Sequence, residues 1–165
     1  MSKPMTAMIW LVACLASSGA FAQELQVQRP VPYSEDNDIS DAIKNECKIG
    51  EVLADSIKSH SPEKVKFIGA GDSAGDRGRV LRVEIVDAVS AGNAFIGHQK
   101  FTKIKGTLLQ DGVKVASFKA RRNSMGGAFA GFKGSCAVLD RTVNVLGEDI
   151  GEWLKSPKDG VALGN

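Results

Sequence analysis

The chain has 165 residues, 43% hydrophobic and 24% charged, with a formal net charge of +2 at pH 7. That is the make-up of an ordinary globular protein, and the near-neutral balance gives no overall electrostatic drive toward nucleic acid. Of the two histidines, His98 has no ligand-type residue three or four places away and His60 has only Glu63, too few for a metal site. No metal site and no cofactor site are therefore expected.

The first 22 residues carry one base, Lys3, then an apolar stretch from Met5 to Ala16, then small residues ending at Ala20-Phe21-Ala22. This is the pattern of a secretory signal peptide, with cleavage expected between Ala22 and Gln23. The apolar stretch falls short of the ~20 residues a membrane span needs, so no transmembrane span is expected in the mature protein. Leu11-Val12-Ala13-Cys14 also fits the pattern at which bacterial lipoproteins are acylated, making lipid anchorage through Cys14 the alternative address. Removing Lys3 with the signal lowers the net charge by one. The remaining residues suffice for one domain, periplasmic or secreted. In an oxidising compartment the two remaining cysteines, Cys47 and Cys136, are expected to pair.

Residues 23–38 are polar and interrupted by Pro30 and Pro32, which reads as an extended leader into a domain spanning residues 39–157. From Ile39 the apolar positions Ile43, Cys47, Gly50, Leu53 and Ile57 mark one face of a helix of about 20 residues. Ser61-Pro62 ends it. Val65, Phe67 and Ile68 suggest a short strand, and the glycine-rich residues 69–78 a connection. Residues 79–90 alternate as a long strand, with Leu81, Val83, Ile85 and Val89 on one parity.

Two further strand-like runs, 100–110 and 113–122, flank Asp111-Gly112, a strong hairpin signal. A two-residue turn with no irregularity sets Leu108 opposite Val115 and Lys105 opposite Phe118. In that register Lys103 and Lys105 share one face while Lys119 and Arg121 share the other. The basic residues then form no single stripe: a solvated sheet edge is the plain reading, and binding of an anionic polymer or lipid surface the sharper one. Finally Phe132, Cys136, Leu139, Val143, Leu146, Ile150 and Trp153 recur at helical spacing over residues 132–154. Pro157 and Gly160 close that helix, leaving residues 158–165 as a tail.

The expected fold is therefore α+β, of order α-β-β-β-β-α. It is a two-layer sandwich with a mostly antiparallel sheet of about four strands and two helices on one face. A Cys47–Cys136 bond would clasp the first helix to the last.

No catalytic residue stands out. Ser61-Pro62-Glu63-Lys64 has a serine-lysine spacing, but Ser-Pro-Glu is also how a turn begins. The glycine-rich run 126–135 precedes a helix yet lacks the ordered residues of a phosphate- or dinucleotide-binding loop. It does carry Met125, Phe129 and Phe132, and the connection at 92–98 carries Phe95 and Ile96. Apolar side chains on loops are either tucked under as satellite core or turned outward as contacts, so these five are the candidate partner-contact residues.

Glu46-Cys47-x-Ile49, the strands Val80–Val89 and Val113–Ala120, the turn Ser124-Met125-Gly126-Gly127 and the closing Trp153-Leu154 together resemble small bacterial envelope proteins of unknown function. Their layout, over about residues 40–155, is similar to the periplasmic domains of outer-membrane lipoproteins that activate peptidoglycan synthases. The resemblance implies a non-enzymatic interaction module that binds another envelope component through its loops. The alternative is a small secreted protein that binds or inhibits a foreign enzyme or a glycan.

Overall fold

The structure is a computed structural model that describes residues 24–71, 77–93, 97–124 and 134–164. The signal segment with Ala22 and Gln23, Cys14, and the contact candidates Phe95, Ile96, Met125, Phe129 and Phe132 lie outside the described residues.

Nine elements follow in order: β1 (Leu25–Gln28), α1 (Asp41–Glu46), α2 (Ile49–His60), β2 (Val65–Ile68), β3 (Arg79–Asn93), β4 (Gly97–Gln110), β5 (Val113–Asn123), α3 (Ser135–Lys155) and β6 (Val161–Leu163). The fold class is α+β, but the sheet is mixed and six-stranded, in the order β2-β1-β3-β4-β5-β6. Strands β3, β4 and β5 form the expected antiparallel meander. Parallel pairs extend it on both sides: β1 with β2 and with β3, and β6 with β5. Parallel neighbours need a crossover. Here α1 and α2 supply one between β1 and β2, and α3 supplies the other between β5 and β6.

The two added strands fall in segments expected to be leader and tail. Leu25-Gln26-Val27-Gln28 alternates with period two, and Leu25 and Val27 are fully buried among the core side chains. Sandwiched between β2 and β3, this strand is interior sheet. Val31 is buried as well, and its N–H donates to the Gly50 carbonyl at 3.1 Å.

The first helix also departs from expectation. In place of one run of about 20 residues, the chain leaves helical geometry at Cys47, which is extended (φ −107°, ψ 127°), and restarts at Ile49. The break lets the start of α2 press against the segment after β1. A Cβ on Gly50 would lie 2.5 Å from the Val31 carbonyl oxygen, so only glycine allows this approach. Ser40 caps α1 through its hydroxyl.

Both long helices lie on one face of the sheet. Leu53, Ala54 and Ile57 of α2 and Leu139, Val143, Leu146 and Ile150 of α3 join Leu81, Val83, Ile85, Ile104, Leu108 and Phe118 in one core. The Phe118 ring meets Trp153 edge to face at 4.8 Å. The two helices pack closely because α3 carries Gly147 and Gly151. Ser56 fills the space where a Gly147 side chain would start, and the His60 carbonyl does the same at Gly151. The Ser56 hydroxyl donates to the Asn144 carbonyl at 2.8 Å, so the contact is satisfied as well as tight.

The structure joins Cys47 to Cys136, with Cα atoms 5.1 Å apart, so the bridge ties the break before α2 to the first turn of α3. The bridged cysteines are 89 residues apart in sequence. In the chain-entropy description, that loop closure stabilises the folded state by about 4–5 kcal/mol. Cys136→Ser should therefore lower the urea midpoint of unfolding well below that of the oxidised protein. Adding reductant to the variant should change nothing further. Gly151→Leu forces a side chain into the α2 backbone and should cost about 2–3 kcal/mol in the same measurement.

Candidate functional site

The sheet has one covered face and one open face, and a register irregularity decides which side chains reach the open one. Asp111 and Gly112 both take positive φ, 50° and 80°, as a two-residue hairpin turn of the favoured hand requires. Gln110 pairs with Val113 and Leu109 with Lys114, but Leu108 then pairs with Ala116. Val115 is the extra residue of a β-bulge and is 52% exposed.

The bulge corrects the expected register by one residue. Lys105 faces Lys119, not Phe118, and Lys103 faces Arg121. The physical reason is burial. Ala116, Phe118 and Ala120 are all buried, and without the bulge Ser117, Lys119 and Arg121 would point at the helices in their place. The Phe118 ring lies over Gly106, which has no Cβ to obstruct it. The four basic residues that a regular hairpin would split between two faces thus share the helix-free face.

Neighbouring strands complete this surface. Arg82 and Glu84 of β3 stand opposite Thr107 and Lys105, and Asp87 stands opposite Lys103 across a second irregularity between Ile85 and Asp87. Lys105 Nζ pairs with Glu84 at 2.9 Å and Lys103 Nζ with Asp87 at 3.0 Å. The hydrogen bond to the Glu84 carboxylate holds the Lys105 ammonium above its ordinary pKa, helped by Asp36 and Glu35 in the segment before α1. Lys114 Nζ pairs with Asp159 at 3.0 Å. The Ser117 hydroxyl and then Lys114 hold the Asp159 carboxyl below its usual range.

Three cations on this face have no carboxylate partner among the described residues: Arg82, Lys119 and Arg121. Arg121 donates to the Asn123 side chain at 3.0 Å, and its guanidinium sits 4.3 Å from the Phe101 ring centroid. Arg122, on the covered side, belongs to the scaffold. It grips Asp149 of α3 through two hydrogen bonds of 2.7 and 2.6 Å.

Two adjoining depressions of about 710 and 370 Å³ run along β4 and β5 on the open face. They share Lys105, Lys119 and Ala162, so they form one groove with β6 along its side. Thr107 and Ser117 add hydroxyls to it.

The other chemistry weighed from the sequence resolves locally. Ser61 follows α2, and its hydroxyl accepts the Glu63 N–H at 3.1 Å, while Lys64 pairs with Glu24. His60 binds the Ser56 carbonyl through Nδ1 at 2.9 Å. Among the described residues, no three His, Cys, Asp or Glu side chains converge where a metal ion could sit. Nor is any helix among them long and apolar enough to cross a membrane.

Comparison with solved structures finds this arrangement at low sequence identity. A protein from Xanthomonas campestris, assigned to the family model DUF330, is similar with a TM-score of 0.53 and 14% identity, covering 79% of this chain and 83% of its own. A PelC dodecamer from Paraburkholderia phytofirmans gives 0.46 at 9% identity over 77% and 86% of the two chains. A minor lipoprotein from Acinetobacter baumannii gives 0.44 at 10% over 82% and 94%. At 14% identity, the first of these is a likeness of fold alone. No family model and no curated protein sequence matches the chain.

Like charges placed directly opposite each other on adjacent strands destabilise a sheet, by roughly 0.2–1 kcal/mol for each pair. Lys105–Lys119 and Lys103–Arg121 are two such pairs, relieved only on the β4 side by Glu84 and Asp87. Lys119→Thr should therefore leave the fold intact and raise the thermal midpoint slightly. A drop in the midpoint would show that Lys119 contributes to the fold.

Proposed function

We propose that this chain is an exported, non-enzymatic binding module of the bacterial cell envelope, which docks a partner on the helix-free face of its sheet. The observation that carries the reading is the pair of like-charge cross-strand contacts on that face. They oppose folding, and a bound anionic partner would offset them. Sheets that serve only as scaffold place opposite charges or hydroxyls at such positions.

Export rests on the signal pattern of residues 1–22 and on the disulfide, which persists in oxidising compartments. Assignment to the envelope rests on the resemblance to small envelope proteins. Phe95, Ile96, Met125, Phe129 and Phe132 stay candidate partner contacts on the sequence alone, following Asn93 and Ser124 in the chain.

A photo-crosslinking residue tests the docking face. Placed at Thr107 in the groove, it should yield defined adducts in intact cells, while the same residue at Ser59 on the exposed side of α2 should not. Equal labelling from both positions, or none from Thr107, would sink the proposed face.

A further inference from the structure

We infer that the groove on the open sheet face binds an extended acidic polysaccharide, with Lys119 and Arg121 as the cations that meet its carboxylates. The inference rests on the reading that this face is the docking face, and it names the chemistry of the partner.

The groove runs along the strands for about 20 Å, counting six steps of ~3.4 Å from Lys103 to Leu109. Cations stand at each step along it: Lys103 with Arg121, Lys105 with Lys119, Arg82 beside Thr107 and Lys114 beside Leu109. An open, linear track of evenly spaced cations suits a linear polymer with a charge on each repeat. It suits a compact anion poorly, because a compact anion needs donors converging on one point.

Charge state sharpens the assignment. Lys103 and Lys105 already hold Asp87 and Glu84, whereas Lys119 and Arg121 on β5 have no carboxylate partner among the described residues. Arg121 sits 4.3 Å from the Phe101 ring centroid with its Nε–H donated to Asn123, which leaves the two terminal nitrogens of the guanidinium to meet an incoming carboxylate. The unmatched positive charge thus lies on Lys119 and Arg121 along the β5 side of the groove, beside the short strand β6, with Arg82 facing them from β3.

The lining separates an acidic glycan from other polyanions. Tight recognition of a protein chain draws on large apolar side chains seated in deep pockets. The groove is an open depression floored by β4 and β5, where the hydroxyls of Thr107 and Ser117 lie beside the aliphatic side chains of Leu109, Val161 and Leu163 and the small Ala162. Single-stranded nucleic acid needs aromatic rings free to stack on bases. The Phe101 ring at the end of the groove is already covered by Arg121 and Lys103. Hydroxyl groups and cations over an open floor are what a uronic-acid chain can satisfy along its length.

The test is a binding titration of the full exported protein, disulfide intact, with a fluorescently labelled oligogalacturonate of about ten sugars. Oligoglutamate of equal charge and a neutral glucan of equal length serve as comparison probes. Oligogalacturonate should bind, weakening as salt is raised. The K119E/R121E double variant should reduce affinity at least about tenfold, and Lys119→Gln by a smaller factor, with thermal midpoints no lower than that of the unchanged protein confirming that each variant is folded.

No binding of oligogalacturonate, equal binding of oligoglutamate, or full binding by the folded double variant would each overturn the inference. Adducts from Thr107 alongside failed glycan binding would remove the polysaccharide and leave the docking face standing. Missing adducts alongside glycan binding that the double variant loses would sink docking on this face in cells and leave the glycan chemistry of the groove standing.

Discussion

The close approach of α2 and α3 is the constraint from which the rest of the architecture follows. Because Gly147 and Gly151 carry no side chains, Ser56 and the His60 backbone can lie directly against α3. The two helices then act as a single layer narrow enough to fit one face of the sheet. The Cys47–Cys136 bridge holds the start of α2 to the start of α3, so that layer is fastened along one end as well as through its middle. With all the helical apolar surface spent on one side, nothing in the described chain covers the other. The open face is a consequence of how the covered face is built.

On that open face a single inserted residue sets the chemistry. Val115 lets β5 change parity, so that Ala116, Phe118 and Ala120 enter the core while Lys119 and Arg121 turn outward beside Lys103 and Lys105. The core therefore dictates the bulge, and the bulge gathers the cations. Burial of Phe118 is worth far more than the repulsion it brings about: a buried aromatic side chain contributes on the order of 2–3 kcal/mol, against tenths for each like-charge pair. Structure and proposed binding surface are thus linked through one ring and one bulge.

Much of this was legible in the sequence. The hairpin followed from Asp111-Gly112, the long helix from its repeat through Trp153, and the pairing of Cys47 with Cys136 from their number and the exported address. What escaped notice was short or non-local. Leu25-Gln26-Val27-Gln28 shows the period of a strand, but it spans only four residues within a polar, proline-bearing stretch. Its burial depends on β2 and β3, which lie some 40 to 55 residues further on. Strand β6 is shorter still and depends on β5 in the same way. The break at Cys47 preserves helical spacing on both sides, so periodicity alone runs straight through it. The bulge did leave a trace, since apolar residues fall on odd positions at Val113 and Val115 and on even positions from Ala116 onward. A strict two-fold alternation across β5 would have buried Lys119, and that conflict was the available clue.

The pairing directions carry one more consequence. Strands β1, β2, β3, β5 and β6 all run the same way, and β4 alone runs against them. Leu25, Arg79, Gln110 and Val113 therefore gather at one end of the sheet, while β5 finishes about 30 Å and β3 about 45 Å away along the long β4 strand. The domain is polarised, with the start of β1 at the hairpin-turn end and the ends of β3 and β5 toward the opposite end. A tether placed ahead of Glu24 would hold the domain by its turn, with the basic groove leading away from it toward the ends of β3 and β5.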